Sequence, residues 1–406
     1  MKRIYLDHAA TTYVDKKILE AMMPYFNEDF GNPNSIYTSG RKAKDAVEKS
    51  RGTITEILNC GFDELIFTGS GTESDNLAIF GAVYKLQKLL GKQPQDLHII
   101  TSSVEHHAVL EPFLKLKKEK FDVTILAADK YGQITAEALK AAMKPNTIFV
   151  SIMYANNEIG TINPVKELAS VCHEHKNEFK EPILFHTDAC QAAGTLSIDT
   201  QDLGVDLMTI NAGKIYGPKG IGALFKKKTV RLEPQIIGGG QENNLRSGTE
   251  NVPAIVGFAK ALELAQANKD KENARLSSLR DKLINGVLTK IPRSFLNGHP
   301  VSRLPNNANF LILDIEGEAL LLYLDELGVE VSTGSACNSR SLEPSHVLLA
   351  TGLPKTAVHG SVRMTFGHCN TEKDVDYVLE HLPKIVENLR SISPVRIDEK
   401  VVTKRK

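Results

Sequence analysis

Three short motifs carry groups that suit the binding of one charged cofactor. The first, FTGSGTESDN at residues 67–76, leads from a predicted strand through small residues into a helix that begins near Gly71 and Thr72. The unpaired N–H groups and positive dipole end of such a helix suit a phosphate. The motif lacks the lysine of a GxxxxGK[ST] loop and does not match GxGxxG. A helix capped by Thr72 would look similar without a ligand, so phosphate binding and simple capping both stay open.

The second and third motifs supply a carboxylate and an amine. Asp188 of HTDACQ lies at the predicted end of a strand, at the edge where open α/β sheets bind ligands. Lys214 of NAGKIYGPKG follows another predicted strand and has glycines on both sides. A lysine amine can form a Schiff base and an aspartate can keep a pyridinium nitrogen protonated, so the three motifs match the three ends of pyridoxal 5′-phosphate (PLP). Taken singly, a surface lysine and a capping aspartate are the commoner interpretations.

The elements that must position these groups are βα units. Between residues 62 and 226, short β-branched runs alternate with amphipathic stretches, which is typical of an α/β domain around a mostly parallel sheet. The predicted strands are ELIFTG, LHIITSS, FDVTILAAD, TIFVSIMYANN, PILFHTDA, VDLMTIN and GIGALFKK. The helix after the first strand carries Ile79, Val83, Leu86 and Leu90 on one face, which predicts that it packs on the sheet.

The second half of the chain predicts a smaller unit. A long helix is expected from about Ala254 to Leu288, followed by strands such as NFLILDI and SVRMTFG and by the helix EGEALLLYLDELG. We therefore expect a large α/β domain at 16–258 and a smaller α+β domain formed by 1–15 with 259–393. The basic tail at 394–406 is expected to be a solvated, frayed end.

Composition excludes several classes of protein. The 406 residues contain 49 basic and 49 acidic side chains, so no overall charge attracts the molecule to nucleic acid or anionic membrane. The five cysteines are an odd number without a CxxC pair, which argues against a disulfide framework and a structural zinc. The start MKRIYLDHAATT precedes no apolar run of signal-peptide length, and no apolar stretch reaches about 18 residues. We expect a cytoplasmic protein without membrane contact.

Nine motifs resemble, in the same order, those of cysteine desulfurases of the NifS/IscS type. They are YLDHAATT, GNPNSIYTSGR, FTGSGTESDNLAI, SSVEHHAVLEP, SIMYANNEIGTINPV, HTDACQAAG, KIYGPKGIGAL, LRSGTENVP and STGSACNSRSLEPSHVL. Related class V aminotransferases share some of these motifs. The resemblance spans about residues 4–393 and implies a PLP-dependent transferase of fold type I, with a mostly parallel seven-stranded sheet in its large domain and a smaller α+β domain.

The resemblance implies a role for each matching position. Lys214 would hold the cofactor as a Schiff base, Asp188 would pair with the pyridine nitrogen, and His106 would stack on the ring and assist proton transfer. The other implied cofactor contacts are Gly71, Thr72, Asn157, Gln191, Asn211, Gly213 and Thr249, the last reaching across from the second subunit of a homodimer. Arg363, with Asn32 and Asn157, would hold the substrate carboxylate, a task that suits the planar guanidinium.

Cys337 is the thiol that the resemblance marks as functional. Its segment, GSACNSRSLEPS, resembles the longer loop of the IscS-like subgroup. Cys337 would take sulfur from L-cysteine, leave L-alanine, and pass its persulfide to an acceptor for iron–sulfur cluster assembly or tRNA thiolation. With a scaffold protein as acceptor, Cys337 could also be a transient ligand of the cluster metal. A buried core cysteine is the alternative, but the small polar surroundings favour an exposed loop.

Three positions depart from the pattern of the relatives. Gly213 stands where a histidine usually precedes the Schiff-base lysine, Asn211 replaces a hydroxyl residue, and Tyr37 replaces a common histidine. An asparagine amide still donates to phosphate, so we expect PLP to bind with altered affinity or spectrum. Two other functions stay open: a different PLP enzyme, such as an aminotransferase or selenocysteine lyase, and a desulfurase-like assembly scaffold with weak catalysis.

Overall fold

The computed structural model describes residues 3–333 and 344–403, and these contain twelve strands. The strands are β1 Ile4–Tyr5, β2 Leu65–Thr68, β3 His98–Ser102, β4 Asp122–Leu126, β5 Thr147–Ser151, β6 Leu184–Asp188, β7 Leu207–Asn211, β8 Gly222–Lys226, β9 Ser294–Asn297, β10 Asn307–Ile312, β11 Val329–Glu330 and β12 Ser361–Thr365. Each of the seven segments predicted as strands in the first half of the chain contains one of β2 to β8.

Fourteen α-helices connect and cover these strands within the described ranges. They are α1 Lys16–Met22, α2 Pro24–Asn27, α3 Thr38–Leu58, α4 Gly71–Leu90, α5 His107–Lys118, α6 Ala136–Ala142, α7 Val165–Glu174, α8 Thr200–Leu203, α9 Val252–Lys290, α10 Gly317–Glu326, α11 His346–Ala350, α12 Lys355–Val358, α13 Glu372–Ile392 and α14 Lys400–Thr403. None of these helices combines the length and the apolar character that a membrane crossing requires.

The large sheet has the strand order β2-β8-β7-β6-β5-β3-β4. The five strands from β7 to β4 run parallel to one another, whereas β8 is antiparallel to both of its neighbours, β2 and β7. The prediction of a mostly parallel seven-stranded sheet is confirmed. Parallel strands end at the same edge, where Asp188 at the end of β6 pairs with Thr209 and Asn211 follows two residues later at the end of β7.

Two hydrophobic cores share the long helix α9. Its first turns bury Ile255, Phe258 and Leu262 against the large sheet, and its later turns bury Leu283 and Val287 in the second core. The second core also covers the antiparallel sheet β12-β10-β9 and the parallel pair β1-β11. The predicted domain boundary at 258/259 falls inside α9 and stays a prediction.

The expectation of a solvated, frayed C-terminal tail is wrong at Ile397 and Val402, whereas most other residues of 394–403 are exposed. The Ile397 N–H donates to Asp314 Oδ1 at 2.8 Å, and the guanidinium of Arg293 donates to the Ile397 carbonyl oxygen. Val402 is 3% exposed and belongs to a cluster with Leu313. These two residues are anchored because their side chains pack on the cluster that contains Leu313, which charge composition alone did not indicate.

Candidate functional site

The phosphate end of the site, as we call the start of α4 with Cys190 and Asn211, is built from backbone groups. The Ser70 side chain caps α4 by accepting a hydrogen bond from the Glu73 N–H at 3.1 Å. Among the described residues, the N–H groups of Gly71 and Thr72 have no acceptor. Unpaired N–H groups at the start of a 20-residue helix are donors ready for an anion.

Side chains close in on Gly71 so tightly that only glycine fits. A Cβ atom at this position would lie 2.8 Å from Cys190 Sγ and 3.2 Å from Asn211 Nδ2. Asn211 Oδ1 is buried without a hydrogen-bond partner within the described chain. The unpaired N–H groups of Gly71 and Thr72, the nearby Asn211 Nδ2 and the glycine cradle fit the phosphate of PLP, which supplies acceptors. The Asn211 Oδ1 atom is itself an acceptor and needs a donor instead.

Glu73 in the first turn of α4 is held away from this anion site. Its carboxylate accepts hydrogen bonds from Arg246 Nε at 2.9 Å and from the Gly69 N–H at 2.8 Å. An acidic side chain near bound phosphate would repel it, and the Arg246 pair neutralises that charge. The phosphate end therefore keeps the positive potential of its helix terminus.

Asp188 is the carboxylate at the end of β6. It is 7% exposed, and its Oδ1 accepts the Cys190 N–H at 2.9 Å. Burial and then the Asp188 charge raise the pKa of nearby Asp75 well above its usual range. Asp75 is 1% exposed, and its Oδ1 has no hydrogen-bond partner among the described residues. Burial beside Asp188 therefore favours the protonated form of Asp75.

A neutral histidine, His186, lies next to this edge on the same strand as Asp188. His186 lies two residues before Asp188 on β6, and its Nε2 is 3.1 Å from Thr209 Oγ1. The same nitrogen is 3.7 Å from Asp75 Oδ1. Burial lowers the pKa of His186 to about 3. His186 therefore adds no positive charge that would compete with a cofactor for Asp188.

His106 caps helix α5 and lies within electrostatic range of Asp188 and Lys214. Its Nδ1 accepts a hydrogen bond from the Ala108 N–H at 3.1 Å. Burial lowers the pKa of His106, the Asp188 charge opposes this shift, and the Lys214 charge adds to it. A neutral imidazole that accepts at Nδ1 carries its proton on Nε2. His106 is thus a hydrogen-bond donor at Nε2.

Lys214 stands in a short 3₁₀ turn directly after β7. Its Nζ donates to the carbonyl oxygens of Ala9 at 2.9 Å and Ala10 at 2.6 Å. Gln191 Nε2 donates to the same Ala9 oxygen at 3.0 Å. Two predicted cofactor contacts therefore converge on the N-terminal segment. At Gly213 the nearest atom to an added Cβ is 3.5 Å away, so this position has room for a Cβ atom.

The carboxylate end of the site, as we call Arg363 with Asp7, Asn157 and Glu158, is built from side-chain charges. Arg363 on β12 is 3% exposed, and its Nη2 donates to Asp7 Oδ1 at 2.6 Å. Its Nη1 donates to the carbonyl oxygen of Asn157 at 3.1 Å. Within the described residues Arg363 Nε has no acceptor. A buried N–H donor of this kind suits a substrate carboxylate.

Glu158 joins the carboxylate end to the residues that follow the Cys337 segment. Ser345 Oγ donates to Glu158 Oε2 at 2.5 Å. Burial raises the pKa of Glu158 to about 7, although Ser345 and the Arg363 charge oppose the shift. His346 Nε2 donates to the Glu105 carbonyl oxygen at 2.8 Å. The chain therefore leaves this segment at a fixed point beside the site.

The remaining predicted residues are not gathered around Lys214. Cys337 lies outside the described residues, and so does its predicted transient metal contact. Thr72, Asn32 and Thr249 are exposed, and Thr249 lines a cavity of about 190 Å³ with Gly69. In the described ranges no group of three or more histidine, cysteine or acidic side chains could hold a metal ion.

Sequence reasoning missed several polar residues that the fold places at the site. Asp7 and the Ala9 and Ala10 carbonyl oxygens lie in YLDHAATT, and Glu158 lies in NNEIG, two motifs noted for resemblance alone. Asp75 lies in the first motif, FTGSGTESDN, where its sequence neighbours belong to the same helix, α4. The sequence signal for each of these residues is a polar group inside an apolar or turn motif. This signal does not identify the partner, because the partner is distant in the sequence.

Comparisons with known proteins agree on one family. The sequence pattern described as aminotransferase class-V matches residues 4–378. A cysteine desulfurase IscS of Methanosarcina thermophila is 49% identical over 97% of this chain and 94% of its own length. A cysteine desulfurase IscS of Dictyoglomus turgidum is 49% identical over 99% of both chains. The solved structure of a NifS-like protein superposes with a TM-score of 0.87, at 35% identity over 96% of this chain and all of that one.

Proposed function

The chain belongs to the aminotransferase class-V family and is a cysteine desulfurase, and from this premise we propose a role for each residue of its site. The reaction removes the sulfur of L-cysteine, releases L-alanine and stores the sulfur as a persulfide. The observation that carries the assignment is the meeting of Lys214, Asp188 and His106 at one sheet edge, beside an unpaired helix N-terminus. If these groups served only in packing, the N–H groups at the start of α4 would not need to be left without acceptors.

PLP is the cofactor, and the phosphate end with Asp188, Gln191 and Lys214 would hold it. When bound, it supplies the electron sink that stabilises a carbanion at the substrate's α-carbon. Gly71, Thr72 and Asn211 hold the phosphate, and Asp188 keeps the ring nitrogen protonated. Gly213 contributes only backbone groups to the pocket, because it has no side chain. The fixed positions of these groups orient the ring before substrate arrives.

Lys214 and His106 move the protons. Lys214, as a free amine, would take the α-proton of the substrate. His106 stacks on the ring and donates from Nε2, since its Nδ1 is committed to the cap of α5. The product needs a proton on the carbon that loses sulfur, and the neutral His106 ring can give one only after it has taken one up. The proton of the Cys337 thiol would go either to His106, which could then deliver it to this carbon, or to the amine of the substrate.

Arg363 holds the α-carboxylate of L-cysteine, with Asn157 and Asn32 beside it. The Cys337 thiolate attacks the substrate sulfur, so that an S–S bond forms, the C–S bond breaks, and the bonding electron pair returns to the substrate carbon. The nucleophile must be a thiolate. Sulfur is then carried on Cys337 to an acceptor, and we propose a scaffold for iron–sulfur clusters or a carrier for tRNA thiolation. A cytoplasmic location stays a prediction.

A second copy of this chain completes the site in this proposal. The N-terminal part exposes large apolar side chains at Phe26, Phe30, Ile36 and Tyr37, with Ile36 88% exposed. Exposed apolar groups of this number suit a subunit interface. Thr249 is exposed at the rim of its own protomer, and in the homodimer it reaches the cofactor phosphate of the neighbour. Tyr37 then belongs to the interface.

The test is incubation of the purified holoenzyme with L-cysteine and a reductant. We expect L-alanine and sulfide in equal amounts, loss of both in Cys337→Ser, and loss of both with the yellow absorption in Lys214→Ala. Cys369→Ser, which changes an exposed thiol outside the site, is the matched control and should keep full activity. Turnover that depends on a keto acid, turnover confined to selenocysteine, or no turnover at all would favour an aminotransferase, a selenocysteine lyase or a scaffold.

A further inference from the structure

A buried ion pair links the N-terminal segment to the arginine at the carboxylate end. Arg363 Nη2 lies 2.6 Å from Asp7 Oδ1, and the two side chains are 3% and 18% exposed. A buried guanidinium without its anion is strongly unfavourable. Asp7 therefore supplies the negative charge that Arg363 needs while no substrate is present.

The hydrogen bonds of Arg363 leave donors available after this pair has formed. A guanidinium has five N–H groups, of which Nη2 meets Asp7, Nη1 meets the Asn157 carbonyl oxygen, and Nε is buried with no acceptor in the described chain. The group is thus held at two corners. Its remaining donors therefore keep a fixed direction.

Asp7 itself is fixed by the sheet that carries Arg363. Its backbone forms a parallel bridge with Thr365, two residues beyond Arg363 on β12. Tyr5 Oη donates to the Asp7 carbonyl oxygen at 3.0 Å, and the Thr365 N–H donates to the Leu6 carbonyl oxygen at 2.7 Å. The carboxylate is therefore mounted on the same rigid element as its partner.

We propose that Asp7 is a positioning residue that fixes the Arg363 guanidinium and limits how tightly it holds a carboxylate; this rests on the proposed role of Arg363. L-cysteine and L-alanine carry the same α-carboxylate, so tight binding of that group would favour substrate and product equally. The Asp7 charge competes with the ligand carboxylate for Arg363. The competition weakens both complexes and speeds the release of L-alanine.

The test is the affinity of the holoenzyme for L-alanine and for ethylamine, its analogue without the carboxylate, measured by titration of the cofactor absorption. Asp7→Asn keeps an oxygen for Nη2 but removes the charge, so L-alanine should bind at least about threefold more tightly. Asp7→Ala removes the hydrogen bond as well, so L-alanine should bind about tenfold more weakly. Ethylamine affinity should stay unchanged in both variants.

The matched control is Asp314→Asn, which removes the charge from another largely buried pair, Arg293 Nε to Asp314 Oδ2 at 3.1 Å. It should leave L-alanine affinity unchanged. If Asp7 has a purely structural role, Asp7→Asn and Asp7→Ala should weaken L-alanine binding alike. If both variants bind L-alanine equally more tightly, Asp7 does not position Arg363. Either result overturns the proposal. If Asp7→Ala does not fold, Asp7→Asn decides alone, since unchanged or weaker binding contradicts the proposal.

Arg363→Lys separates this inference from the proposed function beneath it. If the lysine variant binds L-alanine as well as the parent enzyme does, Arg363 is not the carboxylate group and the proposed role fails. If the lysine variant binds L-alanine weakly while Asp7→Asn shows no tightening, the role of Arg363 stands and that of Asp7 falls.

Discussion

The phosphate end and the carboxylate end of the proposed site offer anions different kinds of group. The phosphate end uses backbone N–H groups and a glycine at the start of α4, packed by Cys190 and Asn211 of the same sheet edge. The carboxylate end uses the Arg363 side chain, balanced by Asp7 and oriented by the Asn157 carbonyl oxygen. The first end is defined by close packing and the second by opposed charges. The two should therefore respond to different substitutions.

Gly71→Ala tests the packed end and should have the largest effect. The added Cβ meets Cys190 Sγ at 2.8 Å, so the start of α4 must shift away from the phosphate. We expect PLP affinity to fall roughly a hundredfold, measured by titration of the apoenzyme with PLP. The affinity of the remaining holoenzyme for L-alanine should change little.

Cys190→Ala supplies the control for this substitution. Combined with Gly71→Ala it removes the sulfur that the new methyl group would meet, so the double variant should regain most of the lost PLP affinity. A double variant as weak as Gly71→Ala alone would mean that steric contact with Cys190 does not define this end.

Arg363→Lys tests the charged end. A lysine keeps the positive charge but loses the planar fork and the two bonds that hold it to Asp7 and Asn157. We expect kcat/KM for L-cysteine to fall about thirtyfold, mostly through KM. Steady-state kinetics give this value, and PLP titration should show unchanged cofactor affinity. A comparable fall in PLP affinity would mean that the two ends are not independent.

Glu158→Gln sharpens the comparison through pH and should have the smallest effect on activity. The pKa of Glu158 is raised from its ordinary 4.5 to about 7 by burial, so the folded protein binds more protons than the unfolded chain between these values. Stability from this group is present below pH 4.5 and falls as pH rises to 7. Glutamine resembles the protonated form, so the variant should gain up to about 3 kcal/mol over the parent at pH 8.

Urea unfolding of both proteins at pH 5 and pH 8 measures this difference. Glu105 is also buried, with a pKa raised to about 8, but it is common to both proteins, so its contribution cancels. An advantage for the variant that is larger at pH 5 than at pH 8 would contradict the assignment of Glu158 as a group protonated near neutral pH.

The structure divides the sequence-based predictions by distance along the chain. The seven strands, the helix at Gly71 and the turn at Lys214 follow from periodicity and from small residues, which act over a few neighbours. The ion pair of Arg363 joins residues 356 positions apart, and the motif with Asp7 gave no reason to connect them. The packed tail is similar, since Ile397 and Val402 find partners near Asp314 and Leu313.

The sequence by itself determined the order of three motifs along the chain. A helix start suited to an anion comes first, an aspartate second and a lysine third, and each follows or ends a strand. Local backbone geometry sets these features, so local residues suffice to read them. Only the tertiary structure decided which charges meet: that burial favours a proton on Asp75, that the N–H of a neutral His106 lies at Nε2, and that Asp7 pairs with Arg363. Burial and the pairing of distant groups set those properties, and both arise only when elements that are distant in the sequence pack together.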